Sequence, residues 1–345
     1  MAGLCAAAHA TQLGASVVVR EKGDRAGGSM LLSSGVVWRY REFERFRSEC
    51  PGGDELLQRT VYERIDDGLR WLQSLGAPVV GRDTGNSDTC GLRFDTQGLT
   101  ERLLRAGGEV QLNAPLREAT DGVPVILATG GFQGDRELVR RYITPQADEV
   151  RLRSNPWSTG DGLQIGLAVG AGLTAGMDEF WGRNMPAPPA QLDRRGFVPL
   201  GQLYARYATV ENAHGERYEA RSWSEIDVAQ WTARQPRARA WYHVRDEMLD
   251  QRVRDLTVGE MIEAARAAGG PVEHADGTTT VEVVAGMTTT IGGLRVGPDC
   301  RVADGLYACG ADIGGISTGG YSSGLAAALV LGRLAAESAL SERAG

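Results

Sequence analysis

The stretch Gly14-Ala15-Ser16-Val17-Val18-Val19-Arg20-Glu21-Lys22, followed closely by Ala26-Gly27-Gly28-Ser29, decides how this chain folds. Before it, residues 3 to 13 read as a small-residue helix that Gly14 closes. Within it, Ser16 to Arg20 is a short apolar run that stops on the acid Glu21. A helix feeding such a run is half of a βαβ unit, whose strand is parallel and covered. Dinucleotide folds use that unit to set a pyrophosphate at a helix N-terminus, where free N–H groups and the helix dipole favour an anion and glycines let the phosphate approach. An acid about 20 positions after the third fingerprint glycine then holds a ribose. Glu21 stands eighteen residues after Gly3, which is where that glycine is expected. Taken alone, a ribose ligand and a solvated turn residue are equally good readings of Glu21.

Outward from this unit, helical patterns recur over 54–75 and 96–105, and the apolar run 124–128 reads as a buried strand that stops on Thr129-Gly130-Gly131. After Gly286 strand-like runs return, with 306–309 ending on Gly310 and a final helix over 322–340. The alternation predicts an α/β core. From about Asp178 the texture changes: Trp181, a Pro-rich 185–189, Tyr204, Tyr207, Trp223, Trp231, Trp241 and Tyr242 crowd together. Such aromatic density is the core of a second domain, of a kind that often closes over a ligand. The expected organisation is a split first domain, 1–178 and 286–345, around an inserted domain, 179–285.

The 345 residues are 42% hydrophobic and 23% charged, so the chain is globular, not disordered. Its net charge of -7 is mild and it has no long Lys/Arg run, which points to a small-molecule partner and away from nucleic acid and membrane. A basic leader and an 18-residue apolar span are both lacking to the eye, so the expected compartment is the cytoplasm. Five scattered cysteines without a C-x-x-C, and four histidines outside every Gly-rich motif, leave no expected metal site.

Several motifs are linked in order: Glu21-Lys22, Ala26-Gly27-Gly28-Ser29, Ser33-Ser34-Gly35, Leu127-Ala128-Thr129-Gly130-Gly131-Phe132, Thr159-Gly160-Asp161-Gly162, and Gly305-Leu306-Tyr307-Ala308-Cys309-Gly310 before a Gly/Ser turn. As a set, spanning nearly the whole chain, they resemble the FAD-dependent fumarate reductase and succinate dehydrogenase flavoprotein family. The resemblance implies an α/β, Rossmann-like FAD-binding domain of the glutathione-reductase type, discontinuous, with an inserted α+β capping domain. It implies FAD bound with Glu21 on the adenosine ribose and Gly3, Gly27, Gly28, Ser29 and Ser34 along the phosphates and flavin, with Lys22 and Gly35 in the same turns. Thr129 and Gly130 fall near the adenine side. Asp161 either lines the pocket or caps a helix, as does Thr159. Gly310 and Asp312 fall near the ribityl chain, with Asp312 one methylene shorter than the family's usual Glu. Ser323, Gly324 and Leu325 form a helix N-terminus whose dipole would offset the charge of a reduced flavin. No histidine lies near the first Gly-Gly turn, so the flavin is expected to be noncovalent.

The resemblance breaks at the substrate. Fumarate reductases hold carboxylates with a His-Thr pair and a final-loop Arg, whereas this chain has Met287-Thr288-Thr289-Thr290-Ile291-Gly292-Gly293 and Tyr321 there. The proton-donating cap Arg falls near Glu225. Gln235-Pro236, Trp241-Tyr242 and Gly319-Gly320-Tyr321 look more like the tricarballylate dehydrogenase branch. Among the cap arginines Arg183, Arg206 and Arg221, Arg183 leads as a clamp for a carboxylate or ketone, because Trp181 and Pro186 flank it. Tyr321 is the candidate proton donor and Thr289 a candidate substrate contact. The expected reaction is hydride transfer between flavin N5 and a carbon beside an activating carbonyl, with an electron partner the sequence does not name. The family's first strand and first two fingerprint glycines have no counterpart before Gly3. That strand is central, and three inward side chains of it are worth about 6 kcal/mol, so the expectation is either a start that lies upstream or weakened FAD binding. A flavin-poor binding protein is therefore the second reading, and an NAD-binding dehydrogenase a weaker third.

Overall fold

A computed structural model describes residues 1–119, 122–220 and 225–341, so Trp223 and the candidate Arg221 lie outside the described residues. The chain forms two compact units. The first comprises Met1–Gly134, Asn155–Glu179 and Thr290–Gly345; the second comprises Asp135–Ser154 and Phe180–Thr289.

In the first unit, the helix Ala2–Gln12 leads through Gly14 to the strand Val18–Arg20. That strand pairs in parallel with Glu109–Gln111, in the register Val18↔Glu109. The strand Leu306–Ala308 pairs in parallel with Val125–Leu127 and antiparallel with Arg301–Ala303. A third sheet is antiparallel, with Thr89–Phe94 between Val36–Tyr40 and Val79–Gly81. Val18 is 53% exposed, so the first apolar run is less covered than a strand buried on both faces.

Helix Ala2–Gln12 packs on the final helix Gly324–Ser341 through Ala6, Ala10 and Ala336. Small side chains let the backbones approach: a Cβ at Gly332 would come within 2.6 Å of the Ala2 carbonyl oxygen. The amphipathic helices Glu55–Ser74 and Thr96–Ala106 start on Asp54 and Asp95, whose carboxylates accept from Leu57 N and Gly98 N. One expectation needs correction. Gly324–Ser341 is long and apolar enough, by length and composition, to cross a membrane, although 61% of it is buried inside the protein. Its glycines and alanines lower the apparent hydrophobicity that the eye reads, while its burial marks it as a core helix.

The second unit is built on the long strand Thr278–Thr290, which pairs antiparallel with Arg239–Arg245 and Val272–Ala275 and in parallel with Arg151–Leu152. Thr209–Glu211 extends the sheet beyond Arg239–Arg245, and Phe180–Pro186 pairs with the long strand. Helices Ile226–Arg234 and Val258–Ala267 cover it, burying Val228, Met261, Ile262, Tyr204 and Tyr242. The unit bounds differ from 1–178, 179–285 and 286–345. Residues 135–154 carry no aromatic signature but end on a strand that pairs with Gly286 and Met287. The long strand carries the second crossing to Thr290.

Candidate functional site

Four Gly-rich turns of the first unit carry the candidate cofactor residues. At the end of Val18–Arg20, one Glu21 carboxylate oxygen accepts from Gly23 N at 2.7 Å, which shapes the turn. Lys22 Nζ reaches both carboxylate oxygens of Asp161 at 2.9 Å and Thr159 Oγ1 at 2.5 Å. Two expected cofactor residues thus form an ion pair, 139 positions apart in sequence. Asp161 caps nothing, because the helix Asp161–Ala168 starts on Gly160 without a side-chain cap.

The next turn places Gly27 ahead of, and Gly28 at the start of, the short helix Gly28–Leu32. Ser29 Oγ accepts from Asn155 Nδ2 at 2.6 Å, and Asn155 Oδ1 accepts from Trp157 N and Ser158 N at 2.9 and 3.1 Å. Asn155 is buried and holds two segments 126 residues apart, a role absent from the sequence reading. Its signal is the Asn155-Pro156 step, a turn initiator whose side chain folds back on the backbone. Ser34 is exposed on the rim of this turn, whereas Gly35 is buried, and a side chain there would overlap the Phe94 carbonyl. Gly35 therefore serves packing.

The third cluster joins the two parallel strands of the Leu306–Ala308 sheet. Asp312 is buried and accepts from Thr129 N, from Thr129 Oγ1 at 2.8 Å and from Gly130 N at 3.2 Å. Thr129 Oγ1 in turn accepts from Gly162 N at 3.0 Å. Burial pushes the Asp312 carboxyl up to about 6, against the pull of the Thr129 and Gly130 hydrogen bonds. Gly310 packs on Ala2 and Gly3 on Ala128.

The fourth is the closing loop. Ser323 Oγ accepts from Ala326 N at 3.2 Å, capping Gly324–Ser341, and from Trp38 N at 3.4 Å. Tyr40 Oη donates to the Tyr321 carbonyl at 2.7 Å, and the Trp38 and Tyr321 rings lie 5.4 Å apart. One strand, Val36–Tyr40, thereby registers both Tyr321 and the start of the final helix. Gly320 sits against the end of the helix Phe43–Glu49, and any Cβ on it would overlap the Glu49 carbonyl.

FAD fits this unit. Gly28 has φ 55°, and a Cβ there would meet nothing nearer than Asn155 Nδ2 at 3.8 Å. A left-handed backbone with only this one ordinary contact beside it suits the close approach of a ligand to its N–H groups. The Ser323-capped helix offers a second dipole end beside the loop.

The remaining candidates, Arg183 and Thr289, belong to the second unit. Arg183 Nη1 donates to the Gly182 carbonyl at 3.1 Å. The neighbouring Thr288, not Thr289, accepts from an arginine: Arg153 Nη1 lies 2.7 Å from its Oγ1, and Arg153 Nε donates to the Phe197 carbonyl at 3.1 Å. Arg153 is not legible as a site residue, since nothing near it in sequence resembles a motif.

Comparison with known proteins places this geometry. The chain is 23% identical over 440 residues to a probable fumarate reductase of Shewanella frigidimarina, covering 98% of this chain and 73% of that one. Its fold is similar to the open conformation of a flavocytochrome c3 fumarate reductase (TM-score 0.73, 18% identity, 99% of this chain and 76% of that one). It is also similar to a 3-ketosteroid Δ4-(5α)-dehydrogenase of Rhodococcus jostii (TM-score 0.71, 18% identity, 98% and 94%). These similarities do not favour a non-catalytic binding protein. Residues 1–106 and 110–325 match the FAD binding domain model, and the chain therefore belongs to that family of FAD-dependent oxidoreductases.

Proposed function

We propose that the chain moves a hydride to or from a carbon of a small molecule that a nearby carbonyl or carboxylate activates. In this reading the first unit is a discontinuous Rossmann-like domain that takes FAD noncovalently, the second is its capping domain, and the protein acts in the cytoplasm. FAD supplies hydride acceptance or donation at its N5. The residues that would hold it are Glu21 for the ribose, the Gly27-Gly28-Ser29 turn for the phosphates, and Ser323, Gly324 and Leu325 for the flavin's charge. Lys22, Asp161, Asp312, Thr129 and Gly130 act one layer back, since their polar atoms bind one another and fix the turns.

The observation that carries the reading is the fixed closing loop. Tyr40 and Trp38 grip Tyr321 and Ser323 from a single strand, so a phenol and a helix N-terminus are held in one rigid piece. A dipole end stabilises the enolate that forms when a base takes the proton from the carbon next to a carbonyl while the hydride leaves the following carbon. Tyr321 is thus assigned the proton, while Arg183 and Thr289 contact substrate. The Rhodococcus dehydrogenase was solved in complex with 4-androstene-3,17-dione, a ring ketone, which makes ring ketones the first class to test here.

The test is anaerobic mixing of the FAD-loaded chain with a panel of cyclic ketones, read as bleaching of the flavin band. Bleaching that Tyr321→Phe slows by roughly 100-fold or more, with FAD retained, is the expected result. Unchanged bleaching in that variant removes Tyr321 from the reaction.

A further inference from the structure

Glu225 is the buried group of the second unit that the reaction above leaves unused. It is 6% exposed and stands at the N-terminus of the helix Ile226–Arg234 with φ 58°, a left-handed backbone that non-glycine residues seldom adopt. Its Oε1 lies 3.5 Å from Arg206 Nε, while its Oε2 is buried and has no hydrogen-bond partner among the described residues. The carboxyl faces the backbone amides of Ala205 and Arg206 and lies within electrostatic reach of Arg183. Among the described residues, the groups in reach of it are Arg183 on Phe180–Pro186, Tyr204 and Arg206 on the 204–207 turn, and Tyr242 on Arg239–Arg245. Two arginines near one buried carboxyl form a compensated cluster. Without the carboxyl they form an anion clamp.

We propose that Glu225 is a specificity-determining residue: its carboxylate offsets Arg183 and Arg206, so that Arg183 receives a neutral carbonyl ligand and rejects a carboxylate. The inference rests on the reading of Arg183 as a substrate contact. Burial pushes the Glu225 carboxyl up, while Arg206 and Arg183 pull the other way. Protonation removes the offset, so carboxylates become better ligands as pH falls.

Calorimetric titration of the FAD-loaded chain with succinate, at pH 5 and pH 8, tests this. The expected result is at least 10-fold tighter binding by wild type at pH 5 than at pH 8. Glu225→Gln is expected to bind at pH 8 at least 10-fold more tightly than wild type, and to keep only the pH dependence that succinate's own titration imposes. Adding Arg183→Gln is expected to abolish that gain. An unchanged succinate affinity in Glu225→Gln at pH 8, or a gain that survives Arg183→Gln, overturns the proposal. Should Glu225→Gln fail to fold, Arg183→Gln alone decides: it is expected to reduce the wild-type pH dependence to that of succinate's own titration, and persistence of the full dependence overturns the idea. Flavin retention is read separately from the same samples by absorbance, so a chain that binds succinate as expected but loses FAD counts against the flavin reading alone.

Discussion

Asp312→Asn isolates one buried charge. In the wild type the Asp312 carboxyl is pushed up to about 6 by burial, although Thr129 and Gly130 donate to it. Relative to an ordinary aspartate near ~3.9, that rise is worth about 3 kcal/mol. The sign follows from linkage: a carboxyl that is harder to ionise in the folded chain contributes stability at acid pH, and that contribution is lost as pH rises through about 6. Asparagine resembles the neutral acid and does not titrate. Urea unfolding followed by circular dichroism from pH 4 to 8 is therefore expected to show the wild-type advantage over Asp312→Asn falling by about 3 kcal/mol across that range. Near pH 4 the two should differ by about 1 kcal/mol, the worth of one altered hydrogen bond. A difference that stays constant within about 0.5 kcal/mol, or grows with pH, would refute the reasoning, because the amide donors would then outweigh desolvation and hold Asp312 as a carboxylate.

Three further outcomes are expected. Asn155→Ala removes the bonds to Ser29, Trp157 and Ser158, and should weaken FAD retention by roughly 10-fold or more, read as fluorescence of released flavin; equal retention would make Asn155 irrelevant to the turn. Tyr40→Phe removes the grip on the Tyr321 carbonyl and should slow flavin bleaching by a reactive ketone about 10-fold while flavin content is kept; equal slowing and flavin loss would indicate a general structural defect. Glu337 is held by His9 and Arg64, which lower its carboxyl to about 2, so its contribution is present above the ordinary glutamate range and lost as pH falls towards 2. The melting-temperature gap between wild type and Glu337→Gln should accordingly shrink from pH 6 to pH 3, and a gap that widens would contradict this.

The long elements are legible because local chemistry and tertiary role agree in them. Asp54 and Asp95 announce helices by their caps, and the alanines of 2–12 and 324–341 announce close packing. The cofactor turns are legible through glycine, which marks backbone geometry in the sequence itself. Function within those turns is less so. Lys22 and Asp161 read as separate cofactor contacts, yet they bind each other across 139 positions, and no local pattern encodes a partner that far away. Asn155 and Arg153 act through long-range hydrogen bonds, Asn155 on Ser29 and Arg153 on Thr288 and Phe197, which no local pattern encodes. Residues 135–154 join the second unit because two strand residues pair with Gly286 and Met287, a signal too short for periodicity to reveal.

The Gly319-Gly320 step carries a lesson for redesign. A loop so rich in glycine invites the description of a hinge, but Gly319 N is tied to Glu179 at 2.7 Å, and Gly320 has the Glu49 carbonyl where its side chain would be. Glycine here is a mark of crowding, and the loop is stiff because nothing larger fits. Directed evolution of substrate choice should therefore find its tolerated variation in the second unit. Libraries that randomise the two glycines would return mostly unfolded chains.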